Sequence, residues 1–200
     1  MNRKTALFIS TLFHPVFINL LALAFLFFFF PVLNYTMNDK LKIYYILFIF
    51  GTTGLLPAIV TWLIKLSGRI ESLLLDTRAE RTTPYLVTAA AYLFDYYLCN
   101  AIGSDKLILG FLLAGACTVV ALLVINLFDK ISIHGASFGA LIGLGGASMN
   151  MAMIDIRIFL IVFFLMAGIT LSARLFAEAH KPYQLFSGFF LGLVIMYLIL

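Results

Sequence analysis

Long apolar runs separated by short polar connections make up most of the chain. They extend from about Val16 to Leu33, Ile43 to Leu66, Pro84 to Ile102, Leu107 to Phe128, Gly135 to Met153, Ile158 to Ala173 and Tyr183 to Leu200. A helix crosses a bilayer's hydrocarbon layer with about 20 such residues. The pattern predicts an all-α integral membrane protein, a bundle of six or seven transmembrane helices forming a single domain over 1–200. The count is seven if the first run crosses. It is six if that run, rich in Phe27 to Phe30, lies partly in the interface. Pro57 predicts a kink in the second helix, and Pro84 suits the first turn of the third.

Composition agrees. Of 200 residues, 64% are hydrophobic and only 11% charged, with a mean hydropathy of +1.10. A soluble domain carries about a quarter charged residues, so lipid must solvate most of this surface. The net charge of +4 fits loop anchoring. No basic run interleaved with aromatics occurs, so nucleic acid is excluded as a partner. Cys99 and Cys117 lie inside apolar runs and are expected as free thiols. The opening Asn2-Arg3-Lys4-Thr5 has the look of a signal sequence. His14-Pro15 interrupts it and no small-residue cleavage site precedes Pro31, so a retained helix is expected.

The connections divide into two sets. One contains Asn34 to Lys42, Gly103 to Lys106 and Asn150 to Arg157. The other contains Ser67 to Thr83, Asp129 to His134 and Arg174 to Pro182. If each run crosses once, the second set shares a membrane face, because two helices separate each member from the next. His134, His180, Arg69, Arg78, Arg81, Lys130, Arg174 and Lys181 therefore gather at one rim.

Candidate chemistry follows from that rim. In the last connection Arg174 precedes His180 by six residues, just before a helix whose start Pro182 favours. Gln184 follows His180 by four, on the same helical face. Its amide oxygen can accept from one imidazole nitrogen and fix the tautomer, leaving the other to attack. In Lys130-Ile131-Ser132-Ile133-His134-Gly135, the Ser132 hydroxyl and the amides near Gly135 suit an anion at a helix start, and His134 can protonate a leaving alkoxide. Arg78 and Arg81 match phosphate oxygens bidentately, and Asp76 and Glu80 are placed to hold them. Spacing for a metal is lacking, so no metal and no cofactor is expected. His14 is expected to be structural. Asp95, in mid-helix, must face protein, with Asn100 or Asn126 as candidate partners. Gly139, Gly143, Gly145 and Gly146, with Gly188 and Gly192, predict close helix packing.

Over roughly Arg78 to Gly192 the chain resembles the type 2 phosphatidic acid phosphatase superfamily. Arg174 and His180 match its third motif, with Gln184 where the family carries Asp. Ser132 and His134 match the second, with Ile131 and Ile133 in place of Pro and Gly. The first motif survives only as the Arg-rich stretch ending at Pro84, which leaves the choice between Arg78 and Arg81 open. The resemblance implies metal-independent hydrolysis of a lipid phosphate or diphosphate. His180 would be the nucleophile of a phosphohistidine intermediate and His134 the acid. Arg174, Arg78, Arg81 and Ser132 would bind the phosphoryl oxygens. The different-class alternative is a non-catalytic membrane scaffold of the same fold that binds lipid phosphates.

The site's rim carries nine Lys/Arg (Arg3, Lys4, Lys65, Arg69, Arg78, Arg81, Lys130, Arg174, Lys181) against four opposite (Lys40, Lys42, Lys106, Arg157). The positive-inside rule alone puts that rim in the cytoplasm. Relatives place the site outside, and setting aside three phosphate-binding arginines leaves a near-balanced count. The expectation is a multi-pass cell-membrane protein with an external, periplasmic site.

Overall fold

The computed structural model describes residues 2–70, 75, 77–152 and 155–200. Among them are ten α-helices, one π-helical turn and no strand. The helices are α1 (Arg3–Leu12), α2 (Pro15–Phe29), α3 (Pro31–Thr36), α4 (Asp39–Phe50), α5 (Leu56–Leu66), α6 (Arg78–Ala101), α7 (Lys106–Phe128), α8 (Ile133–Ala152), α9 (Arg157–Phe176) and α10 (Pro182–Ile199). Five stretches are long and apolar enough to cross a membrane: Arg3–Phe29, Asp39–Leu66, Lys106–Phe128, Arg157–Phe176 and Pro182–Ile199. α6 and α8, of 24 and 20 residues, are as long but more polar.

Local chemistry sets the boundaries. Asn2 caps α1 by accepting from Thr5 N–H, and Asn38 caps α4 through Leu41 N–H. A π-helical turn, Gly51–Leu55, joins α4 to α5, with Pro57 in the first turn of α5. Pro84 departs from expectation. A capping box of Thr77 and Glu80 starts α6 at Arg78, so Pro84 lies inside the helix instead of opening it. Arg78 and Arg81 thus stand on the first turn of a helix. Asp76, Met153 and Ile154 fall outside the described residues.

The glycines bind the bundle together. A Cβ at Gly139 would come within 1.9 Å of the Phe189 carbonyl oxygen, and one at Gly192 within 2.0 Å of that of Ala136. Gly135 meets the Leu185 carbonyl and Gly143 that of Leu193 in the same way. Contacts step from 135 to 139 to 143 as they step from 185 to 189 to 193. α8 and α10 therefore run parallel, backbone against backbone, as the small-residue pattern predicts. Ser132 N–H donates to the Gln184 carbonyl at 3.1 Å, fastening their starts at one end. α8 also packs against α9, α2 and α7, which makes it the central helix.

Asp95 is fully buried, but its partner is neither Asn100 nor Asn126. Its Oδ2 meets the Thr52 hydroxyl in the π-helical turn. Alongside, Tyr92 OH donates to Asn19 Oδ1, and Asn19 Nδ2 to Thr53 Oγ1, both at 3.0 Å. The wide turn of the second apolar stretch turns its Thr52-Thr53 pair onto α2 and α6. Asn126 instead donates to the Arg78 carbonyl at 2.9 Å. Cys99 and Cys117 are free thiols.

Candidate functional site

α9 ends in a Schellman turn. Ala179 N–H returns to the Arg174 carbonyl and Glu178 N–H to that of Leu175, with Glu178 in the left-handed region at φ 55°. The turn keeps Arg174 in the last helical turn, where the α9 dipole favours a cation, and throws His180 back toward the bundle. Pro182 then opens α10. His180 and Gln184 are buried one helical turn apart, with His180 Nδ1 3.3 Å from Gln184 Oε1. That Oε1 also accepts from Lys181 N–H at 3.1 Å, while Gln184 Nε2 donates to Asp129 Oδ1 at 3.3 Å. Asp129 receives Tyr183 OH on its other oxygen at 2.7 Å. The Tyr183 bond, then that of Lys130 N–H at 2.7 Å and, more weakly, that of Gln184 hold its carboxyl below the usual carboxylate range.

His134 opens α8, with its Nε2 3.2 Å from the Ser10 carbonyl. That carbonyl is one α1 leaves over at its carboxyl end, because His14 N–H bonds Thr11 instead. A carbonyl can only accept, so Nε2 carries a proton. Nδ1 is buried and has no hydrogen-bond partner among the described residues. His14 stands edge-on to His134, their ring centroids 5.8 Å apart. All three histidines thus feel the charge of Arg174. His14 has the structural role expected of it, its Nδ1 accepting Val16 N–H at 3.4 Å to cap α2, although nothing in linear spacing places the α1–α2 break beside α8.

The arginines of α6 differ. Arg78 is exposed and donates from one terminal nitrogen to the carbonyls of Leu127 and Phe128, closing the end of α7. Arg81 is buried; its Nε donates to Leu75 O at 2.8 Å and Nη1 to Ile131 O at 3.0 Å. Its positive charge reaches His180. Ser132 is fully buried and accepts Gly135 N–H at 3.2 Å. The Gly135 amide is thereby engaged within the α8 start, while the Ser132 O–H bond remains a donor. Through these bonds the connections 67–83, 129–134 and 174–182 meet at one rim.

Two adjoining recesses of about 480 Å³ each open there and share Lys130, Glu178 and Ala179. One is lined by His180, Lys181 and Gln184, the other by Arg3, Leu7 and Arg174. Burial, then the charges of Arg81, Arg174 and Lys130, push the His180 imidazole down to about 3, against a smaller opposing effect of the Gln184 bond. His180 is therefore neutral at pH 7. A neutral imidazole among cations, with apolar Leu7, Leu175 and Phe176 at the edge, suits an anionic headgroup on an apolar tail. This chain matches no protein-family model, no curated protein and no solved structure.

Proposed function

We propose that the chain is a multi-pass membrane phosphatase that hydrolyses a lipid phosphate or diphosphate through a phosphohistidine on His180. The observation that carries this reading is the buried, uncharged His180 lining one recess, within reach of the charges of Arg81 and of Arg174, which lines the adjoining recess. An anion entering the recess neutralises those charges, and the ring's lone pair then meets phosphorus. His180 attacks, a P–N bond forms, and the P–O bond to the lipid breaks. With Nε2–H held by the Ser10 carbonyl, the His134 Nδ1 lone pair takes the proton of the monoanionic phosphate and passes it to the leaving oxygen. Water then attacks phosphorus as the P–N bond breaks, His134 Nδ1 relays the water's proton to a phosphoryl oxygen, and inorganic phosphate leaves. Arg174, Arg81 and the Ser132 hydroxyl stabilise the equatorial oxygens. Of the two α6 arginines left open by the sequence, burial and a charge that reaches His180 favour Arg81 over Arg78.

In this reading seven segments cross, with α2–α3 the first and α1 lying along the site's rim. α1 touches that rim at both ends, through Arg3 in the recess and Ser10 at His134. The polar α8 crosses enclosed by its neighbours, while α6 turns Leu86, Leu93, Phe94 and Tyr97 outward. Resemblance favours an external site. The cation count with Arg3 on the rim favours the cytoplasm. Labelling of a cysteine at position 181 by an impermeant maleimide in intact cells decides between them.

The test is phosphate release, without added metal, from a panel of phosphatidate, phosphatidylglycerophosphate, polyprenyl diphosphate and lipid A phosphate. Turnover of at least one lipid is expected, abolished in His180→Ala; normal turnover by that variant would falsify the mechanism. One observation favours the scaffold alternative: Arg78, Arg81 and the Gly135 amide already bond within the protein. It predicts lipid-phosphate binding with no turnover.

A further inference from the structure

We infer that Asp129, a residue in none of the three motifs of the resemblance, positions His180: acting through the Gln184 amide, it holds the imidazole as the Nδ1–H tautomer and leaves the lone pair on Nε2. The orientation of an amide is settled by neighbours that can play only one role. Lys181 N–H can only donate, so the Gln184 atom 3.1 Å away is the oxygen. An ionised Asp129 can only accept, so the atom 3.3 Å from its Oδ1 is the nitrogen. Both conditions select the same orientation. The oxygen then faces His180 Nδ1 at 3.3 Å and cannot donate to it, so Nδ1 carries the hydrogen.

Asp129 is exposed and ends α7, while Gln184 is buried in the first turn of α10. The carboxylate thus reaches the imidazole from another element. Its second oxygen takes Tyr183 OH, while Lys130 N–H, at 2.7 Å, holds Oδ1 itself in place with or without that bond. The tautomer stands on hydrogen bonding alone. Its catalytic meaning rests on the phosphatase reading, in which Nε2 is the attacking atom and the Nδ1–H bond persists in the phosphohistidine.

The test uses full-length protein in lipid nanodiscs, with its histidines ¹⁵N-labelled and the His180 signals identified by their loss in His180→Gln. At neutral pH His180 is expected to show a protonated Nδ1 and a bare Nε2. In Asp129→Ala the Nδ1–H population falls and an Nε2–H population appears, whereas Tyr183→Phe retains the wild-type pattern because Asp129 Oδ1 still accepts. On any lipid that is turned over, Asp129→Ala lowers kcat by about tenfold or more, the scale of a misplaced reacting group, with KM little changed. A wild-type His180 protonated on Nε2, or an Asp129→Ala spectrum identical to wild type, overturns the inference even if the protein is an active phosphatase. The expected spectra in a protein that releases no phosphate would uphold the positioning and defeat the phosphatase reading alone.

Discussion

Replacing Gly139 by alanine adds one methyl group where the α10 backbone passes closest. The new Cβ would lie 1.9 Å from the Phe189 carbonyl oxygen. Ordinary van der Waals contact begins near 3.4 Å, so α8 and α10 must separate by about 1.5 Å or shear along their contact. Backbone cannot yield as a flexible side chain does. Overpacking of this kind costs about 1–3 kcal/mol. Gly168 on α9 has nothing within 4 Å of its Cβ position, so alanine there gains helix propensity, up to about 1 kcal/mol. The same chemical change should therefore have opposite signs at the two sites. Thermal unfolding in one detergent, followed by circular dichroism, compares them: Gly139→Ala should melt below wild type and Gly168→Ala at or above it. The displacement should also disturb the site, because Ser132 and Gln184 are joined across the same helix pair. A Gly139→Ala protein as stable as Gly168→Ala would refute the backbone-to-backbone packing of α8 on α10.

Three further outcomes are expected. His180 is lowered to about 3 in the fold from about 6.5 unfolded. Between those values the unfolded chain binds a proton that the folded one does not, so stability is lost as pH falls through this window, by up to about 1.4 kcal/mol per unit; His180→Gln melts should lack that component. Glu178 occupies the left-handed position of the Schellman turn, so Glu178→Gly should stabilise by up to about 1 kcal/mol in the same assay, and a loss would deny the strained turn. Asp95 is fully buried, its Oδ1 lacks a hydrogen-bond partner, and no ion pair to it occurs among the described residues; Asp95→Asn should melt at or above wild type, and a drop of more than about 1 kcal/mol would show that the charge is needed.

Much of the helical layout was legible because a bilayer leaves a strong imprint: apolar runs of fixed length with polar breaks. Parity then brought three connections to one rim, and the small residues of α8 and α10 announced their close approach. What stayed hidden depended on lateral placement. No linear feature tells that Ser10 ends α1 with a spare carbonyl beside His134, that His14 stands against that ring, or that Asp129 lies behind Gln184. Pro84 misled because a proline at a helix start and one a turn and a half inside look alike, and the Thr77–Glu80 capping box decided between them. Residue type and position at a helix start suit Ser132 and the Gly135 amide to an anion. The fold first uses them on each other, as small polar residues at a helix start commonly are.

The most direct measurement of the central claim is capture of the covalent intermediate. Protein mixed with a lipid phosphate that it turns over, labelled with ³²P, is quenched in alkaline detergent, where phosphohistidine survives, and the modified peptide is sequenced by mass spectrometry. The account predicts label on His180, none in His180→Ala, and accumulation when His134→Gln slows release. Phosphate release with no labelled protein, or label carried by another residue, would contradict it.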